Sequence, residues 1–185
     1  SMCAPSRASL LTGRFGFKHA ASITNFGLFY SEEGTDLRYT MLPQHLRRLG
    51  YRTALIGKWH QGFHALQLLP TSRGFDSFFG YAAGCEHSET QQACTAAHNC
   101  RPAPESGERR WFRPIDLWCD ARPAYGRNDT ANSAAFEAEA RRVIAEHARG
   151  GGSGRNDGRR PLFLMVALQD PHSYYIVEPR WASMY

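Results

Sequence analysis

Three short stretches of this 185-residue chain carry side chains that hold anions and move protons. The first is Cys3-Ala4-Pro5-Ser6-Arg7-Ala8-Ser9-Leu10-Leu11-Thr12-Gly13-Arg14. Pro5 suits the first helical position, because an N–H there would have no partner anyway. Ser6 to Thr12 continue that helix, and Gly13 is its left-handed stop. Cys3 then stands just ahead of a helix N-terminus, where free amide donors and the macrodipole favour an anion. Arg7 lies about one turn on, and its planar guanidinium can hold a neighbouring oxygen in a fixed fork. The second stretch, Gly57-Lys58-Trp59-His60, pairs an ammonium, a compact point charge, with an imidazole that titrates near neutral pH. The third, Asp170-Pro171-His172, ends in another histidine. Taken singly, Cys3 reads as a cysteine ahead of an ordinary helix, Lys58 as a strand-end lysine and His60 as a turn histidine. The chemistry lies in the combination.

The elements that must position these groups alternate along the chain. Thr40 is placed to cap a helix with Pro43 in its first turn, Leu42, Leu46 and Leu49 on one face, and Gly50 at its end. Tyr51 to Ile56 reads as a short strand. Lys58 and His60 follow at its carboxyl end, where open α/β sheets place their ligands. Phe15 to Tyr30 reads as irregular surface. Residues 86–129 are polar, proline-dotted and without a clear period, which predicts a long insertion loop of the kind that shapes substrate choice. Within it, Trp111 and Trp118 either stack on a sugar or aryl group or pack as a satellite of the core. Ala131 to Arg149 is an amphipathic helix with Phe136, Ala140, Val143, Ile144 and His147 on one stripe. Residues 150–160 read as a flexible linker. Pro161 to Gln169 then reads as a buried parallel strand, apolar on both faces, that delivers His172. Strands and helices in this order make a layered α/β domain with a mainly parallel sheet.

The spacing of the first stretch is C-x-P-S-R followed by L-T-G-R, and four fixed residues of this kind arise by chance roughly once per thousand such chains. The run Gly50-Tyr51-Arg52-Thr53-Ala54-Leu55-Ile56-Gly57-Lys58-Trp59-His60 fits G-Y-x-T-x-x-x-G-K-W-H. Both resemble the signatures of the type I, formylglycine-dependent sulfatases. Arg73-Gly74-Phe75-Asp76-Ser77-Phe78-Phe79-Gly80-Tyr81 is similar to a segment of arylsulfatase B-like members, and its aromatics read as packing groups. Pro161 to His172 is similar to the family's P-L-F-L-x-x-A-x-Q-x-x-H, although Ser173-Tyr174-Tyr175 stands where the family has a proline-containing turn.

The resemblance implies an alkaline-phosphatase-like fold and hydrolysis of sulfate monoesters. It implies that Cys3 is oxidised to formylglycine by a formylglycine-generating enzyme and that its hydrate is the nucleophile. An unmodified thiolate would be repelled by a sulfate ester, whereas an aldehyde hydrate has one hydroxyl to attack and a second to expel sulfate. Arg7 would hold the hydrate, Lys58 would neutralise sulfate oxygens, and His60 would be the base. His172 would meet the ester oxygen, and Ser88 or Thr90 would supply a hydroxyl near the sulfate. One Ca2+ is implied, with position 3, as formylglycine, among its ligands. The family's paired aspartates before the first signature, and a later Asp-Asn pair and lysine, are not among these 185 residues. The chain therefore reads as an internal piece, about a third of a complete catalytic domain, with little or no activity by itself.

Composition sets further bounds. The net charge of +5 comes almost wholly from arginine, with Lys18 and Lys58 the only lysines. No basic-aromatic stripe accompanies it, which argues against nucleic acid, while a positive field can attract sulfated, anionic substrates, small molecules or glycans. The longest apolar run, Leu162 to Leu168, is too short to span a bilayer. Besides Cys3, the cysteines are Cys85, Cys94, Cys100 and Cys119, with no C-x-x-C pair to suggest zinc. Four thiols in one loop-rich region predict two disulfides and a secretory compartment, lysosomal or extracellular. Resemblance to the arylsulfatases favours Cys94–Cys100 as one pair. Asn128-Asp129-Thr130 is a glycosylation sequon that fits the same compartment. Two rivals share the motifs: a phosphoester or phosphonate hydrolase of the same superfamily, and a non-catalytic protein derived from a sulfatase.

Overall fold

Residues Arg52–Gly57 form β1, the strand between two parallel neighbours. The computed structural model describes residues 3–18, 34–84, 86, 115–126, 130–150, 160–170, 172 and 183–184. Its helices are α1 (Cys3–Thr12), α2 (Leu42–Arg48) and α3 (Asn132–Arg149). The other strands are β2 (Ser77–Gly80), β3 (Trp118–Cys119), β4 (Arg122–Pro123) and β5 (Leu162–Ala167). The sheet runs β4-β3-β2-β1-β5. β2 and β5 pair with β1 in parallel, and β3 and β4 add an antiparallel hairpin beyond β2.

Alternation along β1 sorts its side chains between two cores, because successive residues of a strand face opposite sides. Ala54 and Ile56 join Phe79, Tyr81, Leu117, Phe136 and Val143 beneath α3. Leu55 joins Leu11, Met41, Trp59, Phe75, Phe78 and Ala167 on the side of α1 and α2. Rings meet edge-on or stacked in both cores, Phe79 against Phe136 at 6.1 Å and Phe75 against Phe163 at 6.2 Å. Each such side chain contributes about 1.5–3 kcal/mol by burial. The α/β layers and the mainly parallel sheet are those expected from the sequence, and the aromatics of Arg73 to Tyr81 pack as expected.

Several local expectations are corrected. α1 begins at Cys3, so Pro5 sits inside the first turn; that turn leaves its N–H groups without helical partners, and Pro5 forfeits nothing there. Gly13 does end it, at φ 67°. α2 is entered from Met41 rather than Thr40, with Met41 N–H donating to Gln44 Oε1 at 2.8 Å. It buries Met41 and Pro43 while Leu42 and Leu49 are exposed, because a two-turn helix packs by its N-terminal end here rather than by a stripe. The buried line of α3 is Asn132, Phe136, Glu139 and Val143; Ile144 is 52% exposed, and Arg142 pairs with Glu139 at 2.6 Å. β5 lies at the edge of the described sheet, so Val166 is 44% exposed instead of buried on both faces.

The region 86–129 is not all loop: residues 115–126 place Leu117 in the core and extend the sheet. Trp118 packs against the α1–α2 core, and its indole donates to Asp116 Oδ1 at 2.6 Å, so it belongs to the packing alternative. Trp111, Ser88, Thr90, Cys85, Cys94, Cys100, Asn128, residues 19–33 and linker residues 151–159 lie outside the described residues. Cys119 is exposed in β3. Among the described residues, no helix is long and apolar enough to cross a membrane.

Asp116 also accepts from Ala82 N–H at 3.2 Å and Ala83 N–H at 2.8 Å. Burial pushes its carboxyl up to about 6, against the lowering effect of these three bonds. A folded-state value above the unfolded 3.8 means the folded chain binds more protons between the two. Stability from this group is therefore fully present below pH ~4 and lost as pH rises through about 6. Urea unfolding of the full-length protein should show the stability difference, native minus Asp116→Asn, falling by about 3 kcal/mol from pH 4 to 7. A difference that stays flat would refute this assignment.

Candidate active site

Three carboxyl ends of parallel strands and the start of one helix meet at the predicted residues. Beyond β1, the backbone runs between its neighbours: Lys58 N–H donates to Ala167 O at 2.8 Å, the last residue of β5. Trp59 N–H donates to Tyr81 O at 2.9 Å and His60 N–H to Ala82 O at 3.1 Å, both beyond β2. The Trp59 ring is buried with its N–H shared between Gly62 O at 2.9 Å and Leu68 O at 3.0 Å. It thus pins the turn that carries Lys58 and His60.

Lys58 is 3% exposed and His60 2%. His60 has a left-handed backbone, φ 56°, a conformation uncommon for a residue with a side chain and often found at functional sites. Arg7 reaches across from α1 and donates from Nη1 to Lys58 O at 2.8 Å. That bond ties the helix behind position 3 to the turn holding the ammonium. Cys3 itself is exposed at the first residue of α1, among N–H groups that the helix leaves free.

Electrostatics link the remaining groups. Burial lowers the Arg7 guanidinium, while the neighbouring Tyr81 phenol and Cys3 thiol act to raise it. Burial pushes the His60 imidazole down to about 3, reinforced by the positive charges of Lys58, Arg7 and His172. His60 is therefore neutral near neutral pH. Neither of its ring nitrogens has a hydrogen-bond partner among the described residues. Cys3, Arg7, Lys58, His60 and His172 thus form one set: Cys3 bears on Arg7, Arg7 is bonded to Lys58, and His60 feels Arg7, Lys58 and His172. Such a set suits an anionic guest whose charge it would offset.

Gln169, the fixed glutamine of the third motif, and Gln61, which no motif fixes, also organise this region. Gln169 faces the main chain of Glu86: its Oε1 accepts from Glu86 N–H at 2.9 Å, and its Nε2 donates to Glu86 O. Asn132 at the start of α3 donates to Glu86 Oε1 at 3.3 Å, so β5, α3 and the chain beyond β2 are joined just before His172. Gln61 is fully buried beside His60. For Gln169 the sequence offers the motif's fixed glutamine and a carboxamide at the end of an apolar strand, where a polar side chain needs partners.

Fit to a calcium ion can be judged from the side chains present. Among the described residues, no three His, Cys, Asp or Glu side chains stand together. The side chains of Arg7, Lys58, His60 and His172 are cationic or nitrogen groups, which do not suit a hard cation that takes oxygen ligands. The described residues do not by themselves form a calcium site. Position 3, exposed at a helix start with Arg7 bearing on it, does suit an oxygen-bearing group made from Cys3.

The chain is 33% identical to arylsulfatase G of Rattus norvegicus over 189 residues, covering 99% of this chain and 34% of that protein. It is 28% identical to N-acetylgalactosamine-6-sulfatase of Canis lupus familiaris over 178 residues, covering 93% of this chain and 31% of that protein. The chain thus spans about a third of the length of these curated relatives. The crystal structure of Ps i-CgsB in complex with k-i-k-neocarrahexaose superposes with a TM-score of 0.73 at 23% identity, over 98% of this chain and 37% of that one. That likeness speaks to the fold, which is the alkaline-phosphatase-like fold of sulfatases. The family model named Sulfatase matches residues 1–185, and the chain belongs to the sulfatase family.

Proposed function

We propose that this chain carries the nucleophile and sulfate-binding part of a sulfuric ester hydrolase acting on an aryl sulfate or a sulfated glycan. The observation that carries the reading is the joining of Arg7, Lys58, His60 and His172 around the start of α1. Formylglycine at position 3 supplies, as its hydrate, one hydroxyl to displace the alcohol at sulfur and a second whose deprotonation expels sulfate. Lys58, buried, holds the sulfate oxygens as a point charge, and Arg7 orients the group at position 3. His60, neutral because it is buried among cations, accepts the hydroxyl proton once the charge of the bound sulfate offsets those cations and restores its basicity. His172 donates a proton to the bridging oxygen as the S–O bond to the alcohol breaks. Ser88 is assigned a secondary contact to sulfate.

The family's calcium would screen charge on the sulfate oxygens, with position 3 as this segment's contribution to its ligands. The segment by itself is therefore expected to turn over little. Disulfides among Cys85, Cys94, Cys100 and Cys119, glycosylation at Asn128, and passage through the secretory pathway to a lysosome or the exterior belong to the same proposal. So does maturation by a formylglycine-generating enzyme. Names of the relatives, an arylsulfatase and a sulfatase of an amino sugar, support the substrate class.

The test is mass spectrometry of the Cys3 peptide from full-length protein made in a host with the modifying enzyme, followed by rates on an aryl sulfate and the matching aryl phosphate. An aldehyde together with faster sulfate hydrolysis is the expected result. A persistent thiol would count for the non-catalytic alternative, and faster phosphate hydrolysis for the phosphoester alternative.

A further inference from the structure

Gln61 follows the histidine assigned above as base, and its side chain makes three hydrogen bonds to described residues. It is fully buried. Its Nε2 donates to Ala4 O at 3.1 Å and also to His60 O. Its Oε1 accepts from Thr35 Oγ1 at 2.5 Å, and its own carbonyl accepts from Thr35 N–H at 3.0 Å. Both amide hydrogens and the carbonyl of the side chain are therefore engaged. The two acceptors are not incidental. Ala4 is the residue after Cys3, in the first turn of α1, and its separation from Gln61 along the chain is 57 residues. His60 is held at φ 56°, and the bond to its carbonyl steadies that left-handed turn.

We propose that Gln61 is a positioning residue that sets the distance and angle between the group at position 3 and the His60 imidazole. One carboxamide spans the backbone on either side of the gap where the proton passes. Thr35 fixes which way the carboxamide faces, because a hydroxyl donor on Oε1 directs Nε2 toward the two carbonyls. Arg7 makes the second crossing between the same segments, from its side chain to Lys58 O. Arg7 is thus placed to touch the reacting group, whereas Gln61 acts only through the backbone. The inference rests on the hydrolase reading, and it adds a prediction about kcat that the reading alone does not make.

The experiment uses full-length protein with its aldehyde content at position 3 measured first. Steady-state rates on 4-nitrophenyl sulfate are then taken across pH. Gln61→Leu keeps the volume and removes every side-chain bond. It should lower kcat about 10–100-fold while KM changes less than about threefold, since misplacement by a fraction of an ångström acts on the reacting geometry. Gln61→Glu should show activity that rises relative to native as pH falls, because the introduced carboxyl donates to a carbonyl only when protonated. A purely packing role would give a ratio constant with pH. Thr35→Val, which loses only the hydroxyl, should lower kcat a few-fold and serves if Gln61→Leu does not fold. Native kcat in a folded Gln61→Leu protein, or a flat ratio for Gln61→Glu, overturns the assignment while leaving the hydrolase reading intact. Absence of turnover in the native protein with a full aldehyde overturns both.

Discussion

Cys3→Ala should abolish hydrolysis of aryl sulfates by the full-length protein, a loss of at least about 10⁴-fold in kcat, while leaving the protein folded. Position 3 is exposed at the first residue of α1, so its side chain adds little to the core. Alanine is also the strongest helix former, and the substitution does not weaken the helix. What disappears is the only carbon at that position able to become a carbonyl. Arg7, Lys58, His60 and His172 remain and can still bind the anion, so affinity for a sulfated ligand should survive. The measurement is kcat beside a thermal melt and a binding titration with a sulfate ester. Comparable turnover in the variant would show that the nucleophile lies elsewhere.

Gly57→Ala is expected to cost about 3–5 kcal/mol of stability, with activity lost alongside. Gly57 has φ 94°, and a Cβ there would stand 2.2 Å from Ala167 O and 2.8 Å from Ala167 C. Those atoms are backbone of β5, paired with β1 residue for residue, so they cannot swing aside as a side chain would. Relief requires parting the two strands where Lys58 N–H meets Ala167 O. The turn that carries Lys58 and His60 would move with them. Gly50→Ala is the matched control: its φ is 84° but nothing lies within 4 Å of the added carbon. It should cost only about 1–2 kcal/mol. Denaturant unfolding of both variants checks the contrast, and equal losses would mean that strain, not the β5 backbone, sets the cost.

Much of the framework that carries the candidate site was legible in the chain because its signals are local. The spacing of Cys3, Pro5, Ser6 and Arg7 lies within two helical turns, and Gly13 marks the helix end through its own backbone preference. The apolar runs before Lys58 and before His172 announce strands whose ends place these groups, and parallel pairing in register brings the two ends together. The stripe on α2 and the burial of Ile144 were misjudged because periodicity names a face and not which neighbour covers it. Residues 115–126 were read as loop because two-residue strands carry no period.

What the residues alone determined is therefore the family motifs and the main strands and helices that carry them. Tertiary structure alone decided how those motifs are held. Gln61 meets Ala4 across 57 residues, Gln169 meets Glu86 across 83, and Asp116 meets Ala83 across 33. Each of these side chains satisfies main-chain groups that burial has cut off from water, and which groups are cut off depends on the packing of distant segments. A carboxamide or carboxylate looks the same in the chain whether it faces solvent or closes a buried turn; only the fold distinguishes them.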